Sequence, residues 1–129
     1  MRSKTLLTSE KKANLVLSAL EDKKAVEPMV VDVRGRTVMT EYFVFAGGTS
    51  RIHIRSIVDA VIEKLADSGV KNKRIEGHAE GSWVLLDYGD VVVHVLAPEQ
   101  REFYRLESYW TGVEKGSPPL LAAEENQVR

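Results

Sequence analysis

The sequence predicts an α/β fold in which a mixed β-sheet of about five strands is covered by helices. Three observations lead to this prediction: an apolar stripe at helical spacing in the middle of the chain, two almost continuously apolar runs after it, and an alternation of helix-like and strand-like segments. Because continuous apolar runs are typical of strands that are buried on both faces, we expect at least one of the two runs to lie inside a sheet that helices cover.

The N-terminal part begins with a predicted amphipathic helix. From Thr8 to Leu20 apolar side chains recur at helical spacing, and either Thr8 or Ser9 can cap the first turn. Two strands are predicted after Pro28, the first from Met29 to Val33 and the second from Tyr42 to Ala46. The chain is therefore expected to open with a helix and two strands.

The clearest helix is predicted from Ile54 to Leu65, where apolar residues recur at positions i, i+3, i+4 and i+7. Beyond it, the apolar runs 83–86 and 91–96 flank Asp87-Tyr88-Gly89-Asp90, which is typical of a β-hairpin with a glycine-containing turn. A weaker strand is expected near Lys73 to His78. These segments bring the number of predicted strands to five.

The C-terminal part is predicted to be a helix followed by a tail. Pro98 suits the first turn of a helix from Glu99 to Trp110. After Gly112, the Gly-Ser-Pro-Pro stretch and the polar end are typical of a flexible extension. We therefore expect residues 1–111 to form one domain and residues 112–129 a flexible tail.

Composition argues against several classes of protein. A net charge of −1 and a pI near 6.3 argue against affinity that depends on neutralising many phosphates, so little direct nucleic-acid binding is expected. The absence of cysteine excludes disulfides, thiolate metal sites and cysteine nucleophiles. No apolar stretch approaches the roughly 20 residues of a membrane helix. A cytoplasmic protein without a membrane partner is expected.

A glycine turn between a predicted strand and a predicted helix is the first possible ligand site. Backbone N–H groups of Gly47-Gly48-Thr49-Ser50 could hold a phosphate at the start of the helix. The turn lacks the lysine of a P-loop and the third glycine of a dinucleotide fingerprint. A tight turn in which Thr49 or Ser50 caps the helix is favoured. A nucleotide-binding, nucleotidyltransferase-like enzyme remains the alternative.

Acidic and histidine residues give no convincing catalytic or metal site. Carboxylates two positions apart share a strand face, whereas Asp87 and Asp90 are three positions apart across a turn, so both are interpreted as turn-stabilising. The histidines lack the spacing of zinc ligands, and we expect His94 in a core strand and His53 on a helix surface. The sequence therefore predicts no catalytic residue, no metal and no cofactor, and a protein that is not an enzyme.

The most distinctive segment is 76–90, which contains four acids and two aromatics but no lysine or arginine. Tryptophan and tyrosine are favoured interface anchors, and surrounding acids would steer the protein toward a basic partner. The segment therefore indicates an acidic and aromatic contact surface. The alternative is that Trp83 belongs to the core and that the acids form a solvated rim.

Several motifs follow one another in a fixed order between Asn14 and Trp110. They are Asp32–Gly35, Thr40–Val44, Gly48–Ser50 with His53 and Asp59, Glu76-Gly77, Trp83–Val95, and Arg101–Glu107 with Trp110. This ordered set, above all Trp83–Val95, resembles the Iojap or ribosomal silencing factor (RsfS) family. The chain departs from the family pattern at Glu41, where aspartate is common, and at Ile52, where arginine is common.

The resemblance implies a fold related to nucleotidyltransferases but without their catalytic residues. It implies a ribosomal silencing factor that binds a large-subunit ribosomal protein of the L14 type at the subunit interface. Binding there would sterically block association of the small and large subunits and repress translation. A large-subunit assembly factor is the alternative function, and a homodimer is also implied. The contact residues carried over are Glu76, Trp83, Asp87, Tyr88, Asp90, Tyr104 and Trp110.

Overall fold

The structure, a computed structural model, describes residues 7–100. Within this range the elements are α1 (Ser9–Asp22), β1 (Val26–Asp32), β2 (Tyr42–Gly47), α2 (Arg51–Asp67), β3 (Arg74–Glu76), β4 (Trp83–Asp87) and β5 (Val91–Leu96). The strands form one sheet in the order β1-β2-β5-β4-β3. Strands β2 and β5 are parallel, and the other neighbours are antiparallel. The predicted α/β fold with a mixed five-stranded sheet is confirmed.

Both helices begin where a hydroxyl side chain caps the first turn. Thr8 Oγ1 accepts a hydrogen bond from the backbone N–H of Lys11 at 3.1 Å, and Ser50 Oγ accepts one from His53 at 3.0 Å. Such caps satisfy N–H groups that have no partner within the helix. Of the two residues predicted to cap α1, Thr8 therefore does so. Ser50 caps α2.

The parallel pair β2–β5 forms the centre of the sheet. Every residue of β2 is buried, and in β5 only Val92 is partly exposed. The register pairs Val44 with Val93 and Phe45 with His94. Because successive side chains of a strand point to opposite faces, the two strands contribute to both sides of the sheet. For the run 91–96 this confirms the prediction that at least one of the two apolar runs forms a strand buried on both faces, whereas β4 alternates between buried and partly exposed residues.

Helices α1 and α2 pack on the same face of the sheet. Their buried residues, such as Leu20 and Ile57, join Val44, Val84 and Val93 in one apolar cluster. A second cluster on the opposite face contains four buried residues, which are Val31, Val33, Phe43 and Phe45. Within residues 7–100 the predicted helical cover is therefore found on one face only. We call the opposite face, which carries Phe43, Phe45, Trp83, Leu85, Asp87 and His94, the far face.

Strand β1 starts earlier than the sequence analysis predicted. It begins at Val26 and runs through Pro28, with an irregular register between Val26 and Met29 and a positive φ of 46° at Glu27. Proline has no backbone N–H to donate, so it is tolerated in an edge strand or at a bulge. The prediction that the strand follows Pro28 was wrong because β1 is an edge strand with such an irregularity.

The helix and tail predicted at the C-terminus lie almost wholly outside the described residues. Only their start is described, where residues 98–100 are helical and the backbone N–H of Gln100 donates to the carbonyl of Ala97 at 3.0 Å. The domain boundary at residue 111 stays a prediction. Neither described helix combines the length and the apolar character that crossing a membrane requires.

Gly35 and Gly77 provide a matched test of crowding in turns. Both have a left-handed backbone, with φ of 81° and 84°. A Cβ atom at Gly35 would meet nothing within 4 Å, whereas one at Gly77 would lie 2.1 Å from the carbonyl oxygen of Trp83. The two sites therefore share the same backbone conformation and differ in the space around it.

We expect Gly35→Ala to lower the free energy of unfolding by about 1 kcal/mol, the cost of a left-handed alanine. Gly77→Ala should lower it by about 3 kcal/mol, because the backbone must also move to relieve the clash. Urea unfolding followed by circular dichroism measures both values. Equal losses in the two variants would contradict the described packing at Gly77.

Candidate functional site

Two side chains of α2 hold the turn that connects β3 to β4. The guanidinium of Arg55 donates to the carbonyl of His78 at 3.1 Å and to that of Ala79. Asp59 Oδ1 lies 3.1 Å from His78 Nε2. These contacts attach the turn to the helix at several points. Together with the strand pairing, α2 therefore helps to fix the turn between Glu76 and Trp83.

Three of the predicted contact residues lie together on the far face. The β3–β4 register pairs Arg74 with Asp87 and Glu76 with Leu85. Because alternate residues of a strand share a face, Trp83, Leu85 and Asp87 point to the same side as Arg74 and Glu76. Val84 and Leu86, which point the other way, belong to the cluster beneath the helices. The structure thus brings Glu76, Trp83 and Asp87 onto one surface.

A basic side chain lies among these acids. Arg74 pairs with Glu76 at 3.3 Å and with Asp87 at 3.5 Å, and its side chain is 58% exposed. Arg74 lies outside the segment 76–90, but β3 begins two residues before Glu76 and alternation places Arg74 on the same side. Two carboxylates and one guanidinium leave a single negative charge. Exposed pairs of this kind contribute little to stability.

Trp83 lies on the far face beside His94. The indole Nε1–H donates to His94 Nδ1 at 3.1 Å. Since Nδ1 accepts this bond, the imidazole is neutral and carries its proton on Nε2. The side chain of His94 is buried, and this burial lowers its pKa to about 4. The expectation that His94 is a core-strand histidine is confirmed.

Asp87 also stabilises the β4–β5 turn. Its Oδ1 accepts a hydrogen bond from the backbone N–H of Gly89 at 2.8 Å, and the N–H of Tyr88 donates to the carbonyl of Val91 at 2.9 Å. Gly89 has a φ of 90°, which favours glycine. The interpretation of Asp87 as a turn-stabilising residue is confirmed. Substituting it would disturb the turn as well as the surface.

Tyr88 and Asp90 lie away from the far face. Tyr88 is only 3% exposed, belongs to the cluster beneath α1 and α2, and has its pKa raised to about 12 by burial. The structure therefore places Tyr88 in the core instead of on a contact surface. Asp90, which was also interpreted as turn-stabilising, instead pairs with Lys12 of α1 through both carboxylate oxygens, at 3.0 and 3.2 Å. Tyr104 and Trp110 lie outside the described residues.

In the glycine turn before α2, backbone N–H groups donate hydrogen bonds to acceptors of the protein itself. The N–H of Gly48 donates to Leu96 at 3.1 Å, that of Thr49 to His53 Nδ1 at 2.9 Å, and that of His53 to Ser50 Oγ. A Cβ at Gly48 would lie 2.5 Å from a side-chain carbon of Ile54, so the glycine allows close packing. These bonds confirm the capped turn and leave three amides unavailable to a phosphate.

His53 and the two departures from the family pattern have defined positions. His53 is a partly exposed residue of α2, and its Nε2 donates to the carbonyl of Lys23 at 2.8 Å, so it connects the start of α2 to the end of α1. Glu41 accepts a hydrogen bond from Ser9 at the start of α1. Ile52 is 78% exposed and lines an open groove of about 410 Å³ along α2.

Within residues 7–100 no three His, Asp or Glu residues converge as metal ligands.

The depressed pKa of His94 predicts a loss of stability in mild acid. In the unfolded chain His94 takes up a proton near pH 6.5, whereas in the native chain it stays neutral down to about pH 4. This residue should therefore not reduce the free energy of unfolding above pH 6.5. As the pH falls below 6.5, it should reduce that free energy by roughly 2 kcal/mol by pH 5.

His94→Gln provides the comparison, since glutamine can accept a bond from Trp83 but does not titrate. Urea unfolding of both proteins at pH 7 and pH 5 isolates the contribution of His94, because the carboxylates titrate in both. The expected result is a smaller loss in the variant. The same pH dependence in both proteins would show that His94 is not held neutral by burial.

Comparisons with known proteins agree with this fold. Residues 7–128 match the family described as ribosomal silencing factor during starvation, so the match extends beyond Trp110. The ribosomal silencing factor RsfS of Halalkalibacterium halodurans is 31% identical over 118 residues, which span 92% of this chain and 97% of that protein.

Two further comparisons come from a mouse protein and a crystal structure. The mouse protein named mitochondrial assembly of ribosomal large subunit protein 1 is 31% identical over 101 residues, which span 76% of this chain and 44% of that protein. A crystal structure of a Chromobacterium violaceum protein aligns with a TM-score of 0.78 and 34% identity, over 87% of this chain and 90% of that one. The chain therefore belongs to the ribosomal silencing factor family.

Proposed function

We propose that this chain silences ribosomes by binding the large subunit through a ribosomal protein of the L14 type. Bound at the subunit interface, it blocks association of the small and large subunits and represses translation in the cytoplasm. Family membership supports the ribosomal association. The observation that supports a particular surface is that Glu76, Trp83 and Asp87 lie together on the far face, opposite α1 and α2.

This surface has the chemistry that a basic protein partner requires. Trp83 offers a large, amphipathic side chain of low flexibility, the kind of anchor that dominates many interfaces. Glu76 and Asp87 supply negative charge at its border, with side chains that are 56% and 25% exposed. Charges at the edge of an interface mainly guide approach and orientation. Arg74 adds donors that select for a partner with acceptors in matching positions.

The proposed action is steric and involves no covalent step. A domain of about 100 residues has a radius of gyration near 13 Å, so it spans roughly 30 Å or more when bound. An object of that size at the subunit interface excludes the small subunit by its volume. Such a mechanism requires affinity and placement, and it needs neither a catalytic residue nor a cofactor. The homodimer that the family resemblance implies stays a prediction.

Assembly of the large subunit is a second candidate function. The mouse relative is named for assembly of the mitochondrial large subunit. The two functions would use the same surface and differ in when the chain binds. Sedimentation profiles of starved and growing cells that lack the gene separate them. Precursors of the large subunit would accumulate during growth if assembly is the function, whereas joined ribosomes would persist in starvation if silencing is the function.

Charge reversal at Glu76 tests the surface. In co-sedimentation, wild-type protein should migrate with purified large subunits and not with small subunits. Glu76→Lys should weaken this binding about tenfold, because it opposes the proposed basic partner, and tenfold corresponds to about 1.4 kcal/mol. Asp87→Lys should also weaken binding, but it removes the bond to the Gly89 N–H as well.

Glu21→Lys is the matched control, since Glu21 is an exposed residue of α1 and the charge change is the same. It should bind like the wild type. Circular dichroism and the unfolding midpoint should be unchanged in both variants, because neither side chain is buried. Equal binding by Glu76→Lys and Glu21→Lys would exclude the far face as the contact surface.

A further inference from the structure

One buried polar side chain on the far face has a single described hydrogen-bond partner, the indole of Trp83. We infer that His94 is a positioning residue, which fixes the Trp83 side chain in the orientation that the ribosomal partner contacts. This inference rests on the proposed function and deepens it, since it assigns part of the affinity to a residue that the partner need not touch.

Burial of the Trp83 side chain is incomplete, so specific contacts add to its restraint. Its side chain is only partly buried, whereas the neighbouring Val84 is fully buried. A tryptophan side chain has two rotatable bonds, and a hydrogen bond from the ring N–H restricts both. The 3.1 Å bond from Nε1 to His94 Nδ1 provides such a restraint. The ring centroids lie 6.1 Å apart with the planes inclined by 51°, so the rings are also in contact.

His94 is itself held rigidly in the sheet. Its strand, β5, is hydrogen-bonded to β2 on one side and to β4 on the other. The imidazole stacks on Phe45, with a centroid distance of 5.1 Å and an interplanar angle of 17°, and it contacts Phe43 at 5.8 Å. The position of the acceptor nitrogen is therefore fixed by the centre of the sheet. Through it, the position of the indole is fixed as well.

A fixed indole strengthens binding because less freedom is lost on association. Immobilising one flexible side chain at an interface weakens affinity by about two- to tenfold. A residue that restrains Trp83 before binding removes much of that loss. The effect of His94 on affinity should consequently depend on the presence of the tryptophan. A merely structural role would weaken binding whether or not position 83 carries an indole.

A double-mutant cycle on large-subunit binding tests this dependence. The variants are His94→Phe, which keeps a ring for stacking but has no acceptor, Trp83→Phe, and the combination of the two. His94→Phe should weaken binding about three- to tenfold in the native chain and less than about twofold in the Trp83→Phe background. His94→Gln, which retains an acceptor, should restore binding to within about twofold of the wild type.

Nuclear magnetic resonance on the unsubstituted chain provides a test that does not depend on the folding of a variant. In the expected result, the ring nitrogens of His94 report the tautomer protonated on Nε2, and the Trp83 indole proton is protected from exchange with water. Trp110→Phe identifies which indole signal belongs to Trp83. A rapidly exchanging Trp83 indole proton, or a proton on Nδ1, would overturn the inference.

The outcomes distinguish this inference from the proposed function. If the wild-type chain does not sediment with large subunits, the proposed function fails and the inference fails with it. If the wild type binds and Trp83→Phe weakens binding while His94→Phe does not, only the inference fails. Only the inference fails, too, if His94→Phe weakens binding equally in the chain with Trp83 and in the chain with Trp83→Phe. Coupling between the two positions with rescue by His94→Gln supports the inference.

Discussion

The parallel pairing of β2 with β5 at the centre of the sheet is the constraint on which the rest of the structure depends. Both strands are almost completely buried, so each must contribute apolar side chains to both faces. One set, which includes Val44 and Val93, packs beneath α1 and α2, and the other, which includes Phe45 and His94, forms the far face. A shift of one residue in this register would exchange the two sets, so the pairing is strongly specified.

The same alternation extends outward from the centre to the candidate contact surface. Strand β4 pairs with β5 and places Trp83 and Asp87 on the far face, and β3 adds Glu76 beside them. Contacts from α2 hold the intervening turn. In this account the surface is a rigid outward continuation of the core. Under the proposed function, the partner is recognised by side chains whose positions are fixed before binding, and subunit association is blocked by the volume of the bound domain.

The features that the sequence predicted correctly depend on residues close together in the chain. The cap at Ser50, the Asp87 turn and the hairpin each form within a few residues, so local patterns were sufficient. The contacts that it missed join distant segments. Lys12 and Asp90 are 78 residues apart, and their pairing follows from the packing of α1. Tyr88 was misplaced because a turn gives no alternation from which to infer its side.

Subunit joining is the measurement that tests steric silencing. Separated subunits are mixed with the purified chain, magnesium is raised to drive association, and the joined particles are followed by light scattering and by sedimentation. We expect joining to fall as the chain saturates the large subunit, and Glu21→Lys to inhibit joining as well as the wild type does. If joining proceeds normally while the chain remains bound to the large subunit, steric silencing through the far face is contradicted.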